Sequence, residues 1–150
     1  MADKKVLVVD DEIHIVHVVT IKLRNNGYDV VCASDGAEAY ELACSEKPDI
    51  VVTDYQMPVM TGLELIEKLR ATQATSDIPV IMVTALNEFG DIERGIDAGT
   101  DDFVSKPVNK LELLTRVRTM LKLKHLSDKL ERTLAYLSEI EKQAQIDPEV

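Results

Sequence analysis

Five short apolar runs, each followed by a stretch with helical spacing, predict an alternating α/β domain on a parallel sheet. Three observations carry this. Strand-like and helix-like segments alternate along the chain. The strand-like runs are continuous rather than alternating in polarity, which suits strands covered on both faces. Gly, Asn and Pro fall between the segments, where the chain must turn.

The elements follow in order. Val6-Leu7-Val8-Val9 is a β-branched run that stops at acids. Glu12 to Arg24 places Ile13, Val16, Val19, Thr20 and Leu23 at helical spacing, and Asn26-Gly27 ends that helix. Val30-Val31-Cys32 is the second strand. Asp35-Gly36 opens a helix carrying Ala37, Ala39, Tyr40, Leu42 and Ala43, which Pro48 closes off. Ile50-Val51-Val52 is the third strand. After a loop from Asp54 to Thr61, Leu63, Leu65, Ile66 and Leu69 mark the third helix. Pro79 opens the strand Val80-Ile81-Met82-Val83. A fourth helix, roughly Asn87 to Asp97, is closed by Ala98-Gly99. Asp102-Phe103-Val104-Ser105 is the fifth strand, and Asn109 is the expected cap of the helix after it.

The chain has 150 residues, with 17 basic against 27 acidic and a net charge of −10. That length holds one ordinary hydrophobic core. The acidic balance argues against bulk attraction to nucleic acid or anionic membrane. No apolar run approaches the roughly 20 residues of a membrane helix. Met1 to Lys5 lead straight into the first strand without the apolar core of a secretion signal, so a cytoplasmic location is expected. Cys32 and Cys44 read as two idle thiols in a reducing compartment.

The tail differs from the rest. From Leu121 to Ile146 there is neither Gly nor Pro. Residues 121–150 carry 5 basic and 6 acidic side chains, a net −1, so residues 1–120 carry −9. Leu123, Leu126, Leu130, Leu137, Ile140 and Ala144 fit the a and d positions of one heptad frame, with Thr133 the polar exception. A straight helix from Asn109 to Gln145 would run roughly 55 Å at ~1.5 Å per residue. A 120-residue domain has a radius of gyration of only about 14 Å. The tail must therefore protrude, kink or fold back. Two readings stand: an amphipathic helix packed locally, or a short coiled coil with a second chain.

The chemistry gathers at strand ends. Asp10 and Asp11 follow the first strand, Asp54 the third, Thr84 the fourth and Lys106 the fifth. In a parallel sheet the carboxyl ends of the strands share one edge, where sites form. Each residue alone could be a helix cap or a solvated charge; the joint placement is what points to a site. Two like charges at ~4 Å repel by about 4 kcal/mol at an effective dielectric near 20. Three carboxylates sum to −3, which one divalent cation and one lysine would neutralise. Hard oxygen ligands without His or Cys favour Mg²⁺. A carboxylate beside Mg²⁺, Lys and a hydroxyl suits phosphoryl transfer to the carboxylate.

Val6 to Glu12, Asp54-Tyr55-Gln56-Met57-Pro58 with Gly62, Thr84-Ala85 and Lys106-Pro107 together resemble the receiver domain of bacterial two-component response regulators. The resemblance covers about residues 4–122, so 1–122 is expected to be the receiver and 123–150 a helical extension. It implies a flavodoxin-like (βα)₅ fold with a five-stranded parallel sheet of order 2-1-3-4-5. It implies that Asp54 accepts phosphate from a sensor histidine kinase or a histidine phosphotransfer protein. Asp11, Asp54 and the backbone carbonyl of Gln56 would hold Mg²⁺, with Asp10 helping through water. Lys106 would contact the phosphoryl oxygens, and its bond to Pro107 would be cis. Thr84 would move toward the phosphate and Phe103 would act as the aromatic switch residue.

The resemblance also places the output surface on the fourth helix, fifth strand and fifth helix. Gln56 and Leu86 occupy positions that tune phosphoryl lifetime. An apolar Leu86 cannot orient an attacking water, so slow self-hydrolysis is expected. A homodimer through the last helix and the output surface is expected, with no direct contact to nucleic acid or membrane. Two other readings are a haloacid-dehalogenase-like phosphatase and a phosphorylation-independent dimeric scaffold. The first expects Asp-x-Asp after the first strand, where this chain has Asp10-Asp11. The intact acid, Thr and Lys set argues against the second.

Overall fold

A computed structural model describes the backbone of residues 4–85, 89–123 and 129–146. The elements are β1 (Lys5–Val9), α1 (Ile13–Asn25), β2 (Asp29–Ala33), α2 (Gly36–Glu46), β3 (Ile50–Asp54) and α3 (Gly62–Ala71). They continue as β4 (Val80–Thr84), α4 (Phe89–Ala98), β5 (Asp102–Ser105), α5 (Lys110–Lys122) and α6 (Lys129–Ile146). All strand pairs are parallel and the sheet order is β2-β1-β3-β4-β5. The expected α/β class and strand order are both present.

The continuous apolar runs explain the two-sided core. Within each run, successive side chains point to opposite faces. Val6, Val8, Ile50, Val52, Ile81, Val83 and Val104 enter one cluster, with Leu23 of α1 and Val117 and Met120 of α5. Leu7, Val9, Val51, Val80 and Met82 enter the other, with Ala39 of α2 and Leu65, Ile66 and Leu69 of α3. Fully burying one such Leu or Ile contributes roughly 1.5–3 kcal/mol.

Caps fix where the helices begin. Asp35 accepts the Glu38 N–H, Asn109 accepts the Glu112 N–H as expected, and Thr61 with Glu64 forms a reciprocal capping box. At α1 the cap residue is Glu12, whose side chain makes no capping bond. The acids after β1 therefore do not cap that helix through the Glu12 side chain. The Lys106–Pro107 bond is cis, as the resemblance implies.

The tail is not one straight helix among the described residues. α5 ends at Lys122, and α6 folds back onto the domain. Tyr136 is buried in the same cluster as Met120 and Leu123, with Ala135 and Ile140 packed against it. Gln143 donates to the Thr119 hydroxyl at 3.0 Å. Of the two readings of the tail, local packing is the one observed. The described residues include no helix long and apolar enough to cross a membrane.

Candidate functional site

Register brings the strand-end residues together. Val9 of β1 stands beside Thr53 of β3, so Asp10 and Asp54 follow at the same edge. Asp54 pairs with Val83, which puts Thr84 one step beyond it. Thr84 pairs with Ser105, which puts Lys106 one step further again. Two backbone bonds stitch this edge. The Tyr55 N–H donates to the Val83 carbonyl at 2.9 Å, and the Lys106 N–H donates to the Thr84 carbonyl at 2.9 Å.

The three carboxylates of Asp10, Asp11 and Asp54 offer oxygens that lie within 4.8 Å of one another. Asp10 and Asp54 are each only 4 % exposed, whereas Asp11 faces solvent. The Lys106 ammonium lies 2.9 Å from Asp54 Oδ1. Asp10 accepts the Glu12 N–H at 2.9 Å. A tight approach supports the edge from below. A Cβ on Gly62 would lie 2.3 Å from the Asp54 carbonyl oxygen, so only glycine lets α3 start directly against this strand end. The Gly62 N–H donates to the Tyr55 carbonyl at 2.8 Å.

The site is short of positive charge. Burial pushes Asp10 up to about 6, the Glu12 N–H opposes this, and the negative charge of Asp54 adds to it. Burial also raises Asp54, against the hydrogen bond and charge of Lys106. For Lys106, burial is the largest single influence and pulls downward, but the bond to Asp54 and the negative charges of Asp54, Asp10 and Glu12 together outweigh it, so the net shift is upward. Two unit charges about 4.8 Å apart repel by roughly 3 kcal/mol at an effective dielectric near 20. Three carboxylates with one ammonium therefore form a pocket that gains from a cation. Its donors are all oxygen, which fits a hard divalent ion.

Of the other expected residues, Gln56 lies two residues beyond Asp54 with an exposed side chain. Phe103 sits on β5 beside Met82, and its ring lies against Gly95 of α4, where a Cβ would come within 2.8 Å of it. Leu86 lies outside the described residues. His14 and His17 belong to no group that could hold a metal among the described residues.

Sequence reasoning missed a second acid cluster, at the start of β5. Asp101 accepts from Arg70 at 3.0 Å, from the Val80 N–H at 2.8 Å and from Arg132 of α6 at 2.8 Å. Asp102 accepts from the Phe103 N–H at 2.8 Å and from the Tyr136 hydroxyl of α6, and lies 3.5 Å from Arg116. The signal available was the spacing of Arg132 and Tyr136, four apart on one helix and off the leucine seam.

Residues 6–118 match the response regulator receiver domain family. Over 120 residues the chain is 42% identical to the alkaline phosphatase synthesis transcriptional regulatory protein PhoP of Bacillus subtilis, covering 80% of this chain and 49% of that protein. Over 118 residues it is 39% identical to the DNA-binding dual master transcriptional regulator RpaA of a Synechocystis strain, covering 79% of this chain and 49% of that protein. The chain thus spans about half the length of the curated relatives it matches. Among solved structures, the chemotaxis protein CheY4 of Vibrio cholerae is 34% identical with a TM-score of 0.75, covering 78% of this chain and 98% of that one.

Proposed function

The chain belongs to the response regulator receiver domain family, and on that premise we propose that Asp54 takes a phosphoryl group from a phosphohistidine on a sensor histidine kinase or a histidine phosphotransfer protein. One observation carries the reading. A buried carboxylate at a strand end, raised by burial, is held by a single ammonium at 2.9 Å beside two further acids. An Asp54 oxygen would form the bond to phosphorus as the phosphorus–nitrogen bond of the donor breaks. The electron pair of that bond stays with the imidazole.

Asp10, Asp11, Asp54 and the Gln56 carbonyl would hold Mg²⁺, with Asp10 acting through water. When bound, the ion supplies positive charge for the carboxylates and the phosphoryl oxygens. The rest falls to this chain's side chains. Lys106 holds the phosphoryl oxygens by charge. The Thr84 hydroxyl offers a hydrogen bond to them. Phe103, which has no hydroxyl, can be buried without leaving a polar group unpaired, and serves as the switch residue. The α4–β5–α5 face is the output surface.

Catalysis is confined to gaining and slowly losing this group. Gln56 and Leu86 stand at the two positions that tune the lifetime, and the apolar Leu86 cannot orient a water, so a half-life well beyond seconds is expected. Residues 1–122 act as the receiver and 123–150 as a helical extension that joins two copies. The net charge of −10 weighs against direct nucleic-acid contact by these residues. The test is intact-mass measurement after incubation with acetyl phosphate and Mg²⁺. Wild type gains one phosphoryl group and Asp54→Asn gains none. An equal gain in both would overturn the assignment.

A further inference from the structure

The docked position of α6 uses a leucine seam that is split in two. Leu123 is buried in the core and Ile140 is packed against it. Leu130 and Leu137, from the same a and d frame, are 69% and 58% exposed. A coiled coil needs all of them on one line facing a partner. The docked helix and a coiled coil are therefore exclusive uses of the same residues. The chain carries no Gly or Pro from Leu121 to Ile146, so nothing in its composition stops α5 from running on as one helix.

The docking contacts are built to be left. Without α6, Asp101 keeps Arg70 and the Val80 N–H, and Asp102 keeps Arg116 and the Phe103 N–H. Neither acid is stranded when the helix departs. Docking itself is imperfect, because Arg132 Nε is buried without a hydrogen-bond partner among the described residues. Residues 129–146 carry three basic and three acidic side chains, a net of zero in a chain of −10. This helix can therefore approach its own copy with little charge repulsion.

We propose that α6 has two exclusive positions: docked in cis on Asp101, Asp102 and α5, or released as a continuation of α5 that pairs with α6 of a second copy of this chain. The docked position is linked to the Asp54 pocket along β5. Tyr136 holds the Asp102 carboxylate, and that carboxylate holds the N–H of Phe103. A shift of Phe103 loosens the docked helix, and by reciprocity docking resists that shift. This linkage rests on the phosphoryl reading of Asp54; the two positions of the helix do not.

The test is light scattering on the full chain across a concentration series, with hydrogen exchange read over α6. Arg132→Ala with Tyr136→Phe, without any phosphoryl mimic, is expected to tighten dimerisation by roughly tenfold and to speed exchange in α6. Leu130→Glu with Leu137→Glu changes only exposed residues, so it leaves the docked monomer intact and abolishes the dimer in either background. A double anchor variant with wild-type mass at every concentration overturns the proposal. So does a dimer that survives the two glutamates. Beryllofluoride with Mg²⁺ is expected to raise the dimer fraction of wild type. No rise, in a chain that still takes phosphate from acetyl phosphate, overturns the linkage while sparing the Asp54 reading. No rise together with no phosphate uptake overturns that reading as well.

Discussion

Two clusters of acids sit at opposite ends of the sheet's strands, and they are neutralised in opposite ways. At the carboxyl end, Asp10, Asp11 and Asp54 share one ammonium, that of Lys106. At the start of β5, Asp101 and Asp102 meet three guanidinium groups, from Arg70, Arg116 and Arg132. The first cluster is left with excess negative charge and a raised Asp10. The second is over-supplied with donors and ties loops and helices together. Acid content alone does not mark a functional site; unbalanced, buried acid does. The contrast also explains why the first cluster would gain from a cation and the second would not.

The largest expected effect breaks the second cluster. Asp101→Asn leaves Arg70 and Arg132 without their shared charge partner, and should cost about 3–5 kcal/mol in urea unfolding. It should leave the acid pocket working in whatever fraction stays folded. Next comes the opposite substitution in kind. Lys106→Met removes the one ammonium found at the first cluster among the described residues, and should slow phosphoryl uptake from acetyl phosphate by about 10²–10³-fold. Folding stability should change far less than with Asp101→Asn, because the lysine relieves only part of the repulsion there.

A smaller effect comes from pH. The folded Asp10 titrates at about 6, above the ordinary carboxylate value near 4. The folded chain thus binds the extra proton more readily between those values. This contribution to stability is greatest below about 4 and falls by about 3 kcal/mol as pH rises through 6. Denaturant melts from pH 4 to 7.5 in chelator should show the loss, and added Mg²⁺ should reverse it near neutral pH. The smallest effect is a control. Lys122 and Glu139 form an exposed ion pair at 3.2 Å between α5 and α6, and Lys122→Ala should leave the thermal midpoint within error.

The first cluster was legible in the sequence because its members end consecutive strands, and parallel register carries strand ends to one edge. The sheet was legible for the same reason, since its runs are short, apolar and β-branched. The docked tail was not. Heptad counting weighs apolar positions, and the anchors of α6 are an arginine and a tyrosine off that seam. Their partners lie 31 and 34 residues upstream, across a chain reversal that no local pattern specifies. The capping box of Thr61 and Glu64 was present as residue types, yet it could be read only once α3 was known to start at Gly62.

Calorimetric titration of Mg²⁺ at pH 7.5 tests the contrast most directly. Wild type should bind one ion, Asp11→Asn and Asp54→Asn should each weaken that binding at least about tenfold, and Asp102→Asn should leave it unchanged. Binding that survives Asp11→Asn and Asp54→Asn, or that is lost in a folded Asp102→Asn, would contradict the account.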